Sequence, residues 1–468
     1  MNASPTKPQR RPSTTAVQKC SAKDCGAEYG INELIYACGK CGGLLEIDCQ
    51  VEGLSDLKSL RVTWDTRAVS NEPRDRSGVW RYREVLPFDD NTSIVTLFEG
   101  NTPIYEAPKC ANYAGLSSLT LKHQGINPTG SFKDTGMTIA VTQAAILGVR
   151  AVVCASTGNT AASLAAYAAR ANLKCVVLLP EGLISPAKLA QSMDYGAIIF
   201  EVAGNFDDCM RLTHELADVP WIYIANSVNP FRIEGQKTVA YELMMQREWQ
   251  LPDHVVVPGG NMGNSSALGK GFDEMMRMGL IDRVPKLSII QAEGAAPLAH
   301  LFANLMQSGS VNERLQSTRI ETVADPRTLA TAIRIGAPVS WQKALRAVIQ
   351  SKGNVIAVSE HELADAKAMI GLEGIGCEPA SAATVAGIKR LVAQNTIGKD
   401  ESVVGILTGH VLKDPDYVSH YHRGTLSLDS SAEGRGKKAQ SITGSFRNAP
   451  VRIAATKDAI VKSLQREL

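Results

Sequence analysis

Short apolar runs alternate with longer stretches of helical periodicity from Leu119 to about Thr408, and this alternation restricts the fold more than any other feature. Each run has the length of one strand and is bounded by glycine or polar residues. The predicted strands are T-L-K-H, A-V-V-C-A, C-V-V-L-L-P, A-I-I-F-E-V, W-I-Y-I-A, H-V-V-V-P, K-L-S-I-I-Q-A and S-V-V-G-I-L-T. The alternation predicts βαβ units and parallel sheets covered by helices on both faces. Ligands bind such sheets beyond the carboxyl ends of the strands.

Helices are predicted between these strands, at residues 134–147, 160–171, 207–217 and 236–249, with another beginning near Ser265. A chain of 468 residues exceeds what one hydrophobic core usually serves, so we expect two main lobes and small attachments. The predicted fold class is therefore α/β, with parallel-rich sheets flanked by helices.

The composition argues against two kinds of partner. With 49 basic and 47 acidic residues the chain is nearly neutral, so it lacks the broad basic surface of a nucleic-acid-binding protein. No apolar run approaches the ~20 residues that cross a bilayer, so we expect no membrane insertion. Four of the ten cysteines lie close together and two others lie in predicted strands, which fits a reducing, cytoplasmic compartment better than a disulfide framework.

Both ends of the chain differ from the middle. Residues 1–18 have no acidic residue, no apolar segment and three prolines, which predicts a disordered tail and not a secretory signal, with a transit peptide as the alternative. Residues 427–444 are rich in Ser, Gly, Lys and Arg and are predicted to be a mobile linker. A final helix is predicted within residues 453–468, with these residues facing the body: Ile453, Ile460, Val461, Leu464 and Leu468.

Four cysteines form two pairs, Cys20 with Cys25 and Cys38 with Cys41, separated by twelve residues and accompanied by glycines. Two thiolate pairs can hold zinc tetrahedrally and stabilise a small fold that lacks its own core. The gap of four residues in the first pair is wider than the usual two, so a metal-free hairpin is the alternative. Either reading makes residues 19–50 a small structural module resembling a zinc ribbon.

Lys133 lies in the run H-Q-G-I-N-P-T-G-S-F-K-D-T-G, between a turn-rich segment and the start of a predicted helix. An amine attacks a carbonyl only as the neutral base. The positive end of a helix dipole disfavours the ammonium form. This position therefore suggests covalent catalysis by Lys133.

Two loops between a strand and a helix could bind anions. S-T-G-N-T, residues 156–160, offers hydroxyls and free backbone N–H groups suited to a carboxylate, although Asn159 and Thr160 could simply cap the helix. P-G-G-N-M-G-N, residues 258–264, could hold a phosphate between backbone N–H groups and a helix dipole. It matches neither the Walker pattern nor the dinucleotide fingerprint, so we expect a monophosphate cofactor, with a tight turn as the alternative.

Two further strand ends carry polar residues. The segment N-S-V-N-P-F-R-I-E-G-Q-K-T, residues 226–238, places Arg232 among small polar side chains, where it could clamp a second anion or be an ordinary ion-paired residue. In L-T-G-H, Thr408 would present a neutral hydroxyl to the cleft, and alone it would pass as part of a turn.

A reactive lysine, a phosphate cradle, an anion loop and a strand-end hydroxyl together describe a site for pyridoxal phosphate. Five blocks of the sequence resemble, in order, the signature blocks of the threonine synthase family, which has pyridoxal phosphate fold type II. These blocks are N-P-T-G-S-F-K-D, S-T-G-N-T, N-S-x-N-x-x-R-x-E-G-Q-K-T, G-G-N-M-G-N and L-T-G-H. V-W-R-Y-R-E-V-L-P and G-N-T-P extend the resemblance. It implies a catalytic domain over residues 51–425, with a smaller lobe at roughly 135–235 inserted in the larger, and residues 426–468 as linker and helix.

The resemblance implies a lyase that converts O-phospho-L-homoserine and water into L-threonine and phosphate. Lys133 would form the Schiff base with the cofactor and move protons. The other implied cofactor contacts are Asn159 at the 3-hydroxyl, Gly260, Asn261, Met262, Gly263 and Asn264 at the phosphate, and Thr408 at the ring nitrogen. The implied substrate contacts are Thr157, Thr160, Asn226, Ser227 and Arg232. Because a hydroxyl cannot keep the ring nitrogen protonated as a carboxylate can, Thr408 implies a milder electron sink.

Several alternatives stay open at this stage. A cysteate synthase would also use Arg232, whereas threonine dehydratase and cysteine synthase need no second phosphate site. A regulatory or nucleic-acid-binding module on an inactive enzyme fold is opposed by the presence of Lys133 and the phosphate loop. Family analogy implies a homodimer, and the tail before Cys20 is too short for the S-adenosylmethionine-sensing region of plant members.

Overall fold

The computed structural model describes residues 16–467, except 52–53, 55, 183–185, 308–317 and 429–439. Its strands are β1 (Val17–Cys20), β2 (Glu28–Gly30), β3 (Leu45–Asp48), β4 (Ile104–Glu106), β5 (Thr120–His123), β6 (Ala151–Ala155), β7 (Lys174–Pro180), β8 (Ile198–Val202), β9 (Ile222–Ile224), β10 (His254–Pro258), β11 (Lys286–Ala292), β12 (Val355–Val358), β13 (Val403–Leu407), β14 (Ser427–Leu428) and β15 (Gln440–Ser441).

The α-helices surround these strands. They are α1 (Leu57–Ala68), α2 (Pro73–Arg76), α3 (Pro108–Ala114), α4 (Lys133–Ile146), α5 (Asn159–Arg170), α6 (Pro186–Asp194), α7 (Phe206–Glu215), α8 (Phe231–Gln246), α9 (Gly263–Met278), α10 (Pro297–Gln307), α11 (Trp341–Gln350), α12 (Glu360–Leu372), α13 (Pro379–Ala393), α14 (Pro415–Arg423) and α15 (Lys457–Glu467). In the described part of the chain, none of them is long and apolar enough to cross a membrane.

Two sheets form the body of the molecule. The larger has the order β12-β11-β10-β13-β5-β4, and all its pairs are parallel except β4 with β5. The smaller is fully parallel, with the order β8-β7-β6-β9. The predicted α/β class with parallel-rich sheets is thus confirmed. The fully buried strands β6 and β10 show why these runs are apolar throughout and do not alternate.

The chain passes from the larger sheet into the smaller one and back. Helix α4 leads from β5 toward β6, and α8 leads from β9 back to β10. These two helices pack against each other, and α8 also packs against α9. The first residues of all three helices follow strand ends, so the topology brings Lys133, Arg232 and Gly263 to the cleft between the sheets.

The cysteine module is the antiparallel sheet β2-β1-β3, and it is fastened to both lobes. The Lys343 ammonium donates to the Leu45 carbonyl at 2.6 Å, and Arg346 donates to the Ser21 carbonyl at 3.0 Å. On the other side, the Tyr36 hydroxyl accepts the N–H of Ile224 in β9 at 2.7 Å. The module therefore braces the catalytic body and is no loose appendage.

Helix α8 begins five residues earlier than the predicted start at residue 236. Asn229 accepts the N–H of Phe231 at 3.0 Å, which satisfies one of the free donors of the first turn. Gly235 is buried inside this helix. As a result Arg232 lies in the first helical turn and not in a loop, which fixes its backbone.

The C-terminal predictions were wrong in two respects. Residues 427–428 and 440–441 pair as β14 and β15, and Ile442 is buried against Tyr417 and Tyr421, so the ends of the predicted linker are packed. The residues 429–439 lie outside the described part. Helix α15 forms, but the residues predicted to face the body are 43–54% exposed: Ile453, Ile460, Val461 and Leu464. Leu468 lies outside the described residues.

Candidate active site

Lys133 is the first residue of α4, and the loop that precedes it is tied down by Asp134. The Asp134 carboxylate accepts the N–H of Thr129 at 2.7 Å and the hydroxyls of Thr129 and Ser163, both at 2.6 Å. These bonds hold the whole turn before Lys133 in one conformation. Fixing the lysine in this way is what nucleophilic catalysis needs, because an oriented amine attacks without first losing its freedom of movement.

The surroundings of Lys133 favour its neutral form. Burial is the main reason that its pKa falls from 10.5 to about 7, the positive charge of Arg232 acts in the same direction, and Glu378 opposes both. A large fraction of the amine is therefore neutral near neutral pH. This electrostatic setting is the one expected for a nucleophilic lysine.

The cradle, defined here as residues 259–264, joins the end of β10 to the start of α9. A side chain at Gly260 would place its Cβ 3.0 Å from the Ala332 carbonyl oxygen, so this backbone runs close to the segment after residue 330. Met262 has a left-handed backbone conformation, with φ 64°, and turns the chain into the helix. The turn directs the first N–H groups of α9 into the cleft, where they can bind a phosphate.

Two side chains in the first turn of α9 have unsatisfied polar atoms. Both amide atoms of Asn264 and the hydroxyl of Ser265 are buried and have no hydrogen-bond partner among the described residues. A buried polar group without a partner costs about 1–3 kcal/mol, so such a pair calls for a ligand. The N-terminus of a helix with two neutral donors fits the phosphate of pyridoxal phosphate.

Not every residue of the cradle presents its side chain to this position. The Asn261 side-chain oxygen accepts the N–H of Val339 at 3.2 Å, and the main-chain carbonyl oxygen of Asn261 accepts the N–H of Ser340 at 3.1 Å. Met262 is buried in the large hydrophobic core. Met262 can therefore contribute to a phosphate site only through its backbone, and Asn261 only through its backbone or its side-chain NH₂ group.

The loop Ser156–Thr160 follows β6, and Asn226 fastens it to the neighbouring strand. The Asn226 side chain accepts the N–H of Ala155 at 3.0 Å and donates to the Ala155 carbonyl at 3.1 Å. Its predicted direct contact with a substrate phosphate would require these bonds to break. Thr157, Thr160 and Ser227 are partly exposed and can meet a ligand in the cleft.

Arg232 is a buried cation with little to balance it. It is 4% exposed, and its Nη1 donates to the Ala225 carbonyl at 3.0 Å. Its Nε has no partner, and within the described residues no carboxylate lies within ion-pairing distance. Burial lowers its pKa to about 10. Because an unpaired buried charge is costly, this guanidinium is suited to receive an anion.

Glu378 was missed by the sequence analysis, although it links two residues that were predicted. It precedes Pro379 at the start of α13 and is 3% exposed. Its carboxylate accepts from the amide of Asn159 at 2.9 Å and from the hydroxyl of Thr408 at 3.0 Å. The run C-E-P-A-S offered only a weak signal, an acidic residue beside a helix-starting proline at the end of an apolar stretch.

Gly409 makes this arrangement possible. A Cβ at position 409 would overlap the Glu378 carboxyl group, so only glycine lets the strand end approach so closely. Ser381, one turn into α13, accepts the N–H groups of Thr408 and Gly409 at 2.8 and 3.1 Å. The need for glycine after Thr408 is thus explained by the close contact of this strand end with the start of α13.

The four predicted metal ligands come together in the cysteine module. The sulfur atoms of Cys20, Cys25, Cys38 and Cys41 all lie within 4.8 Å of one another. A tetrahedral zinc ion with Zn–S bonds of ~2.3 Å needs sulfur atoms about 3.8 Å apart. The donor set and its spacing therefore fit zinc, despite the wide gap between Cys20 and Cys25.

The comparisons with known proteins agree with the expected family. A sequence model of the family "Pyridoxal-phosphate dependent enzyme" matches residues 95–409. The threonine synthase of Methanocaldococcus jannaschii is 48% identical over 403 residues, which are 86% of this chain and 93% of that protein. This chain belongs to the threonine synthase family. The threonine synthase of Methanosarcina acetivorans is 45% identical over 396 residues, 84% of this chain and 92% of that protein.

Solved structures of other enzymes share the fold of this threonine synthase family member. A fungal L-serine ammonia-lyase from Rhizomucor miehei has a TM-score of 0.58 at 18% identity and covers 71% of this chain and 100% of its own. Maize serine racemase has a TM-score of 0.55 at 20% identity, and the match covers 69% of this chain and 92% of that protein.

Proposed function

We propose that this protein makes L-threonine and phosphate from O-phospho-L-homoserine and water, with pyridoxal phosphate as its cofactor. The observation that carries this proposal is the pairing of two different anion sites around one lysine. The cradle is neutral and suits the cofactor phosphate, while Arg232 is a buried cation that suits a second phosphate. A phosphorylated substrate brings a second phosphate, and a buried guanidinium is well suited to bind it.

The cofactor would be held at four places. The cradle and the first turn of α9 would bind its phosphate, Lys133 its aldehyde, Asn159 its 3-hydroxyl and Thr408 its ring nitrogen. When bound, the cofactor supplies an electron sink that stabilises negative charge on carbon next to the substrate amine. The protein supplies the orientation, because each of these groups is fixed by the contacts described above.

Lys133 would then act as the proton carrier of the reaction. With a pKa of about 7, a large fraction of its amine is neutral near pH 7 and could accept the proton from the substrate α carbon. The same group can return protons as phosphate leaves and water adds. The positive charge of Arg232 nearby keeps the amine ready to release each proton that it accepts.

Arg232 and Ser227 would bind the substrate phosphate, and Thr157 and Thr160 the substrate carboxylate. A guanidinium in a buried site can make two charge-assisted hydrogen bonds to phosphate, worth about 1.5–3 kcal/mol each. It would also stabilise the charge that develops on the departing phosphate. Binding and departure of the same group thus depend on one side chain.

The substrate is tested by product analysis. Purified protein is loaded with pyridoxal phosphate and given O-phospho-L-homoserine, or O-phospho-L-serine with sulfite, and phosphate and amino acids are measured. Threonine and phosphate in equal amounts from the first substrate support the proposal. Cysteate from the second pair, with no threonine from the first, would overturn it.

We further propose that the four cysteines hold a structural zinc ion. The module has few buried apolar residues of its own, and a metal would supply the stability that its core lacks. Metal analysis of the purified protein should find about one zinc per chain, lost in Cys38→Ser. A parent protein prepared without chelator that contains no metal would contradict the proposal.

The expected homodimer and the cytoplasmic location complete the proposal. A homodimer rests on analogy with the family. Light scattering of the purified protein should give twice the chain mass. Four of the ten cysteines are grouped as candidate metal ligands, which would suit a reducing compartment.

A further inference from the structure

The carboxamide of Gln236 lies between the helix that begins with Lys133 and the helix that begins at the cradle. A side chain at Gly136 in α4 would place its Cβ 2.8 Å from Gln236 Nε2, and one at Gly263 in α9 would place its Cβ 3.7 Å from Gln236 Oε1. A glycine on each side thus leaves a slot that the carboxamide fills. Gln236 follows Arg232 by one turn of α8, so both side chains leave the same face of that helix.

The oxygen of this carboxamide is a buried acceptor without a partner. Gln236 is 2% exposed, and its Oε1 accepts no hydrogen bond from any of the described residues. A buried acceptor in this state is costly, so it calls for a ligand. Because Gly263 is the first residue of α9, this oxygen lies beside the helix end where the cofactor phosphate is proposed to bind.

A buried glutamine with a purely structural role is bonded to the protein itself. Gln291 in β11 is such a residue, since its side-chain oxygen accepts the N–H groups of Leu298 and Ala299, both at 2.9 Å. Gln291 is fully buried, as Gln236 nearly is, yet only the oxygen of Gln291 has partners among the described residues. The contrast indicates that Gln236 is placed for a group that comes from outside the chain.

The phosphate alone cannot satisfy Gln236. The same helix end carries three more unsatisfied atoms, which are the two amide atoms of Asn264 and the hydroxyl of Ser265. A doubly ionised phosphate offers only acceptor oxygens, so it can satisfy the Asn264 NH₂ group and the Ser265 hydroxyl. Gln236 Oε1 is itself an acceptor, so it needs a hydrogen donor between it and the phosphate.

We propose that Gln236 is a further residue of the cofactor-phosphate site and that its Oε1 holds a water molecule against the phosphate. The water donates one hydrogen to Gln236 Oε1 and the other to a phosphate oxygen, so both acceptors are satisfied. Gln236 thereby favours a cofactor that carries a phosphate over pyridoxal, which lacks one. This inference rests on the proposed function, since it concerns the same cofactor.

The test compares the affinity of the apoprotein for pyridoxal phosphate with its affinity for pyridoxal, both measured by equilibrium dialysis. Both compounds carry the aldehyde that reacts with Lys133, so the ratio of the two Kd values isolates the contribution of the phosphate. Gln236→Met keeps the length of the side chain and removes the acceptor. It should raise the Kd for pyridoxal phosphate roughly 2- to 12-fold, the equivalent of one net hydrogen bond, and leave the Kd for pyridoxal unchanged.

Gln236→Glu should have a larger effect, because it places a negative charge at the same position. The ionised carboxylate repels the phosphate and spares pyridoxal, so the ratio should change by at least roughly 10-fold. Between about pH 6 and about pH 8.5 the introduced carboxyl group and the phosphate lose protons, so the preference for pyridoxal phosphate should fall with pH relative to the parent. Gln350→Glu, at the exposed end of α11, is the matched control and should keep the parent ratio.

Two results would overturn the inference. One is a ratio that matches the parent in both Gln236→Met and Gln236→Glu, and the other is an equal loss of affinity for both compounds, which would give Gln236 a purely structural role. Circular dichroism checks the folding of each variant, and Gln236→Met alone decides the matter if Gln236→Glu does not fold.

The proposed function is checked separately in the same samples. Borohydride reduction and mass spectrometry should find the cofactor attached to Lys133 in the parent protein. A parent that never attaches pyridoxal phosphate would contradict the proposed function itself. Attached cofactor together with unchanged ratios in the variants contradicts only the role of Gln236.

Discussion

The two anion sites of this protein are built in opposite ways. The cradle before α9 uses backbone N–H groups and the neutral side chains of Asn264 and Ser265, whereas the second site depends on the buried charge of Arg232. A neutral site adds no charge beside Lys133, while the guanidinium lowers the pKa of that lysine. The difference suggests that the cradle serves a resident cofactor and that Arg232 takes part in the reaction.

The largest effect is expected where both sites converge, at Lys133. Lys133→Ala removes the amine that would hold the cofactor and carry protons, so kcat should fall by about 10³-fold or more. Steady-state phosphate release measures the loss. Lys109→Ala, at an exposed position in α3, is the matched control and should retain full activity. Comparable rates in the Lys133 variant and the control would remove Lys133 from the mechanism.

Arg232→Ala should have the next largest effect. Loss of even one of its charge-assisted hydrogen bonds costs about 1.5–3 kcal/mol, so kcat/KM should fall by at least roughly 10- to 150-fold. Cofactor affinity should hardly change, because the cradle does not use this side chain. The control is Arg170→Ala, at the exposed end of α5. An equal loss of cofactor affinity would erase the distinction between the sites.

Asn264→Ala should show the opposite pattern, with a smaller effect. Losing one donor to the cofactor phosphate costs about 1–1.5 kcal/mol, so the Kd for pyridoxal phosphate should rise about 5- to 10-fold. At saturating cofactor, kcat/KM should stay close to that of the parent. Equilibrium dialysis of the apoprotein measures the Kd, with Asn112→Ala on the exposed side of α3 as the control.

The smallest expected effect concerns the titration of Lys133. Removing the Arg232 charge makes the ammonium form less unfavourable, so Arg232→Ala should raise the pKa of Lys133. Only the neutral amine reacts with an aldehyde, so the rate of cofactor uptake by apoprotein should rise with pH around 7 in the parent. The midpoint should move to higher pH in Arg232→Ala. A midpoint that stays in place would show that the two groups do not interact.

Periodicity was sufficient to predict the fold. The apolar runs β6 and β10 are buried on both faces, which only a sheet covered by helices on both sides can provide, and the structure has such sheets. The loops after these strands could also be found, because parallel strands deliver their carboxyl ends to the same edge. Local sequence therefore located the cradle and the loop at residues 156–160.

Pairing between distant residues could not be predicted in this way. Asn159 and Glu378 are separated by 219 positions, and nothing local in either segment indicates that they meet. The unsatisfied hydroxyl of Ser265 is likewise visible only when its surroundings are known. Helix α15 shows the reverse error, since its apolar spacing suggested a buried face that the fold leaves exposed.

The separation of the two anion sites is tested most directly with inorganic phosphate, the proposed product. Its inhibition constant against the phosphorylated substrate is measured beside the cofactor Kd in the parent, Arg232→Ala and Asn264→Ala. We predict that Arg232→Ala raises only the inhibition constant and that Asn264→Ala raises only the cofactor Kd. If both variants raised both constants to the same degree, the two sites would not be separate.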